Sequence, residues 1–186
     1  MQNSNNKHFN HFKVHTQYSI CEGAVKIESL KDFCKENKLV SVGICDTENL
    51  CGALEFSENI SKVGTQPIIG TQINFKYEDT TGLLPLIALN ENGYKKIIEL
   101  SSKSYLENDV LSKPHLDIKE LLDNISDVIL LSGTNHGLFG KLFEKGRFDE
   151  IQKIYKDLLK NFKDNFYLEI QRHGDQNEIS FEKFNL

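Results

Sequence analysis

The chain has 186 residues, 39% of them hydrophobic and 26% charged, a balance that folds as one domain and lies far from disordered composition. Its formal net charge of −5 argues against a surface that grips nucleic acid, because phosphate binding draws on clustered Lys and Arg. The start MQNSNNKHFNHFKVH has no apolar core, and no stretch approaches the ~18 apolar residues of a membrane span, so a cytoplasmic protein with no membrane partner is expected.

Short apolar runs alternate with longer stretches whose apolar residues fall three and four apart, which is how βα alternation reads in sequence. The first strand is expected at Phe12–Thr16. A helix follows with Ile27, Leu30, Phe33 and Cys34 on one face, ending near Asn37. A strand at Val40–Cys45 leads to a second helix marked by Leu54 and Ile60, and strands at Pro67–Phe75 and Leu84–Leu89 come next. After Asn92-Gly93, the residues Tyr94, Ile97, Ile98 and Leu100 mark a third helix, and Ile118–Leu122 a fourth. A strand at Asp127–Ser132, helices at Phe139–Phe143 and Phe148–Phe162, and a last strand at Phe166–Gln171 complete the order. Strands joined by helical crossovers predict a parallel sheet in an α/β fold, either doubly wound or closed as a barrel. A barrel of these six strands would keep an open edge, which predicts that the chain is part of a larger domain. Cys21, Cys34, Cys45 and Cys51 show no C-x-x-C spacing and read as reduced, small buried side chains.

Candidate chemistry gathers at the strand ends, where α/β folds place their sites. In His11-Phe12-Lys13-Val14-His15 a strand's two-residue period points 11, 13 and 15 to one face and 12 and 14 to the other. Imidazoles so spaced are metal ligands elsewhere, but the Lys13 ammonium has no lone pair and repels a divalent cation. Cys45-Asp46-Thr47-Glu48-Asn49 follows the next strand; its Asp, Thr and Asn also suit turns and helix caps, which need no chemistry. Gly70-Thr71-Gln72 and Gly133-Thr134-Asn135-His136-Gly137 match no nucleotide-binding fingerprint.

The stretches FKVHTQYSICEGAVKI, GICDTENLCGALEF, QPIIGTQI, ALNENGYKKIIELSSKSYLE, LLSGTNHGLFGKL and DNFYLEIQRHG, in this order, resemble the polymerase-and-histidinol-phosphatase (PHP) domain that opens bacterial DNA polymerase III alpha subunits. The resemblance runs from about His11 to Gly174 and implies a distorted (β/α)7 barrel, with residues 1–186 forming one PHP domain truncated before its last strands. Metal-binding members line the C-terminal mouth with His, Asp, Glu and Cys. Carried onto this chain, the ligand positions fall on Lys13, His15, Glu22, Thr47, Gln72, Thr134 and His173. His15, Glu22 and His173 keep ligand character as a remnant pocket, while Lys13, Thr47, Gln72 and Thr134 have lost it. The resemblance therefore implies no metal and no catalytic residue in this segment, with Lys13 expected to pair with Glu22 or Asp46. It further implies a scaffold within a replicative DNA-directed DNA polymerase, with Mg2+ in a polymerase site outside this segment. The implied partners are the rest of the polymerase chain and the proofreading exonuclease subunit. The competing expectation is a free-standing metal-dependent PHP phosphoesterase or exonuclease.

Overall fold

Residues 9–122 and 125–186 are described in the computed structural model of the chain. The strands are β1 (His11–Val14), β2 (Ser41–Thr47), β3 (Gln66–Tyr77), β4 (Thr80–Ala88), β5 (Leu116–Asp117), β6 (Val128–Leu131) and β7 (Phe166–Tyr167). The helices are α1 (Ile27–Glu36), α2 (Ala53–Ser61), α3 (Glu91–Leu106), α4 (Leu138–Glu144), α5 (Phe148–Phe162) and α6 (Gln176–Asn185). One curled sheet runs in the order β1-β2-β3-β4-β6-β7, with the short β5 pairing the far end of β3.

The expected all-parallel sheet is wrong at one strand. β4 is antiparallel to both neighbours, β3 and β6, while β1, β2, β3, β6 and β7 share one direction. Only Glu78 and Asp79 separate β3 from β4, and so short a connection can only reverse the chain. Ile118–Leu122 is likewise not an α-helix; its residues Ile118–Leu121 form one 3-10 turn capped by the Asp117 side chain. The strand expected at Phe166–Gln171 ends at Tyr167, and α6 was not anticipated at all. Its start carries a capping box between Asp175 and Glu178, a signal that was present in the sequence.

Strand alternation decides which side chains meet the helices. Val42 and Ile44 face outward and pack with Ile27, Leu30 and Cys34 of α1 and with Phe56 and Ile60 of α2. Farther along the sheet, Ile73, Phe75, Leu84, Leu86, Val128 and Leu130 form the floor of the larger core, covered by α3, α4 and α5. On α5 the residues Ile151, Ile154, Leu158 and Phe162 make the buried stripe that a 3.6-residue period requires. The opposite, concave face carries the alternate residues of each strand and holds the candidate site. Cys34 and Cys45 are buried as expected, whereas Cys21 and Cys51 are exposed, because both sit in loops at the strand ends. No helix among the described residues is long and apolar enough to cross a membrane.

The start of α3 is held against the sheet by close backbone contact. Asn90 caps it, accepting from the amides of Asn92 at 2.9 Å and Gly93 at 3.2 Å. A Cβ at Gly93 would lie 1.9 Å from the Asp127 carbonyl oxygen. Gly93→Ala therefore has to push α3 off the entry to β6, and the expected loss is about 1–3 kcal/mol, read as a lower urea midpoint at unchanged denaturant slope.

Candidate functional site

The first strand is bulged, and the bulge sets the site. His11 pairs with Val42 and Val14 with Ile44, so three steps on β1 match two on β2. The simple alternation expected for His11, Lys13 and His15 is thereby broken. His11 stacks edge-on against Phe9 and Phe33 on the helix side. Phe12 and Lys13 instead both reach the concave face, where Lys13 and His15 line the mouth at the strands' C-terminal ends.

That mouth is a cavity of about 260 Å³ bordered by Lys13, His15, Glu22, Gln72, Thr134 and His136. Lys13 does not pair with Glu22 or Asp46, as expected from sequence. Its Nζ donates to Glu169 Oε1 at 2.8 Å, with the two side chains 19% and 11% exposed. Both earlier candidates are occupied elsewhere. Asp46 is buried and accepts from the Thr16 amide at 2.6 Å, the Thr16 hydroxyl at 2.7 Å and the Ser19 hydroxyl at 2.6 Å. It ties the loop after β1 to the end of β2, so the cap-like reading of this segment is closer to what the side chain does. Glu22 accepts from the Thr47 hydroxyl, which in turn accepts from Gln72 Nε2 at 2.7 Å.

Thr47 and Gln72 thus form a neutral hydrogen-bonded relay ending on one carboxylate. Thr134 accepts from the His136 amide at 3.1 Å and serves its own loop. His173 stands outside the mouth: its Nδ1 lies 2.7 Å from Glu178 Oε1, and its side chain is 74% exposed. The His173 contact holds the Glu178 carboxyl below the usual carboxylate range. His15 Nδ1 and Glu169 Oε2 are buried without a hydrogen-bond partner among the described residues. Burial, and secondarily the charge of Lys13, hold the His15 imidazole below its ordinary value of 6.5. Beneath the mouth, burial pushes the Cys45 thiol up to about 12, so it is an inert packing group.

The PHP domain profile matches residues 11–173. The chain belongs to the PHP domain family. Its PHP fold is similar to that of a Bifidobacterium adolescentis chain assigned as a metal-dependent phosphoesterase, with TM-score 0.56 and 12% identity over 94% of this chain and 82% of that one. In sequence it is similar to the DNA polymerase III subunit alpha of Caulobacter vibrioides, 34% identical over 182 residues. It is also similar to that of Helicobacter pylori, 35% identical over 188 residues. The match covers 94% and 91% of this PHP chain but only 16% and 15% of those proteins.

A metal centre does not fit these PHP side chains. Among the described residues no three His, Cys, Asp or Glu converge so as to hold a metal ion. The mouth sets the Lys13 ammonium, the Thr134 hydroxyl and the Gln72 amide beside His15, Glu22 and His136, and an ammonium there repels a divalent cation. Glu169 was missed as a site residue. It sits two positions before Gln171 and two after Tyr167, both on the concave face, so alternation along Phe166–Gln171 carried the signal.

Lys13→Met should leave Glu169 buried and unpaired and cost about 2–3 kcal/mol, measured by urea unfolding. Adding Glu169→Gln should recover at least half of the loss, since the stranded charge is then removed. His15 binds its proton less readily folded than unfolded, so its contribution is complete above pH 6.5 and is lost as pH falls through its lower folded value. The urea midpoint should therefore drop as pH is lowered below 6.5, and His15→Gln should flatten that part of the profile.

Proposed function

We propose that the chain works as a metal-free PHP domain at the N-terminal end of a DNA polymerase III alpha subunit, supporting the polymerase chain and docking the proofreading exonuclease subunit. The observation that carries this reading is the ion pair from Lys13 to Glu169 across the mouth. An internal cation stands at one of the positions where the resemblance implies a metal ligand, and it cannot be displaced into solvent without stranding the Glu169 charge that it pairs with. Metal-assisted hydrolysis of a phosphate ester needs a cluster of ligands, and among the described residues no three His, Cys, Asp or Glu are grouped to hold a metal ion. Thr47, Gln72 and Glu22 are engaged with one another rather than aimed at a reacting atom.

The similarity to polymerase subunits supports the scaffold reading, and the chain spans about one-sixth of their length. Nucleotidyl transfer, with its carboxylate-held Mg2+, then belongs to the rest of such a polypeptide. The acidic balance of this segment suits a protein-binding role better than a DNA-binding one. A metal-dependent phosphoesterase is the competing reading, suggested by the fold likeness alone.

Elemental analysis after exposure to manganese and zinc, with a phosphodiester hydrolysis assay, separates the two. The expected result is substoichiometric metal and no turnover, together with binding to the exonuclease subunit of the same organism in a titration. Stoichiometric metal with turnover would establish the phosphoesterase reading, and a failure to bind the exonuclease would remove the docking role.

A further inference from the structure

Two polar side chains beside the mouth are buried with atoms that no protein group answers. Asn135, in the loop between β6 and α4, is 4% exposed, and neither its Oδ1 nor its Nδ2 has a hydrogen-bond partner among the described residues. Glu169, just past β7, has Oε2 in the same condition. A buried polar atom left unanswered forfeits its hydration with no return, so native interiors pair such atoms with protein or with ordered water.

Both residues border one narrow cavity of about 10 Å³, with Glu178 and Phe181 of α6 forming part of its wall. The two backbones that carry them are fixed. A Cβ at Gly140 would lie 2.0 Å from the Asn135 carbonyl oxygen, so α4 packs hard against the backbone of that residue. The Glu169 amide donates to Ser132 Oγ at 2.9 Å. On the third side Phe181 rests on Phe143, ring centroids 5.5 Å apart, and holds α6 in place.

Size and charge together decide what fits there. About 10–15 Å³ is the least that holds one water, so a polyatomic ligand is too large. The charges in the wall are already answered: Glu169 Oε1 accepts from Lys13 at 2.8 Å, Glu178 from the His173 amide at 2.7 Å, and Glu182 from Arg172 at 3.1 Å. What is left is one carboxylate oxygen beside an amide that offers both an oxygen and N–H donors. An anion is repelled by the first and a cation by the N–H donors, whereas water accepts from one and donates to the other. We propose that this cavity is the binding site of one internal water molecule, which accepts from Asn135 Nδ2 and donates to Glu169 Oε2. It completes the shell of a buried carboxylate whose other oxygen holds Lys13, and it does so whether or not the domain docks an exonuclease.

The test reads cross-relaxation between water and the Asn135 side-chain amide protons by NMR on the nitrogen-15-labelled 186-residue chain. The expected result is a cross-peak of the sign given by a held rather than a freely diffusing water. It should persist in Thr134→Val, which removes a hydroxyl bordering the cavity whose exchange could imitate the signal. Asn135→Leu should lower the urea midpoint, and in a Glu169→Gln background that loss should shrink by roughly half or more, because the two side chains act through one molecule. No cross-peak at Asn135 would overturn the proposal, as would fully additive losses in the double variant. A midpoint raised by sodium or potassium chloride, but not by tetramethylammonium chloride at the same ionic strength, would assign the cavity to a cation and also overturn it.

Discussion

An ammonium on the first strand held by a carboxylate just past the last is the contact on which the concave face depends. Lys13 and Glu169 are 156 positions apart in the chain, and each is largely out of water. A charge so placed is tolerable only while its partner is present, so the pair constrains the separation of β1 from the end of β7. On one side of that contact Glu22, Thr47 and Gln72 are hydrogen-bonded to one another, and on the other Phe12, Ile68, Ile87, Leu131 and Tyr167 make the concave face largely apolar. The pair marks the boundary between a mouth that has chemistry-bearing residue types and an apolar stretch of the same face.

The mouth shows how the polar groups of a pocket can satisfy one another. Removing anionic ligands from a cluster leaves repulsion and unsatisfied atoms unless the survivors find new partners. Here Glu22 is satisfied by Thr47, Thr47 by Gln72, and Asp46 by three donors from the loop after β1. His15 Nδ1 and Glu169 Oε2 are buried beside the mouth without a hydrogen-bond partner among the described residues.

Much of the fold was legible because apolar spacing is a local property. The stripes on α1 and α5 and the buried runs of β2, β3 and β6 follow from residues within one turn or one strand of each other. The reversal at β4 was missed because a strand's direction is decided by its connection, and the Glu78-Asp79 turn carries no Gly to announce it. The face of Phe12 was misread because a bulge adds one residue without changing composition. His173 sat at the right distance along the chain to be a mouth residue, yet the start of α6 offered it Glu178 instead.

The sequence by itself determined which residue types stand at the strand ends, with a lysine, two threonines and a glutamine at positions where the resemblance implies metal ligands. That conclusion needs only identity and order, which are one-dimensional. Only the tertiary structure decided that Lys13 answers Glu169 rather than Glu22 or Asp46. Three carboxylates compete for one ammonium, and the winner is set by which of them the folded chain has already supplied with other donors, a quantity no stretch of sequence contains.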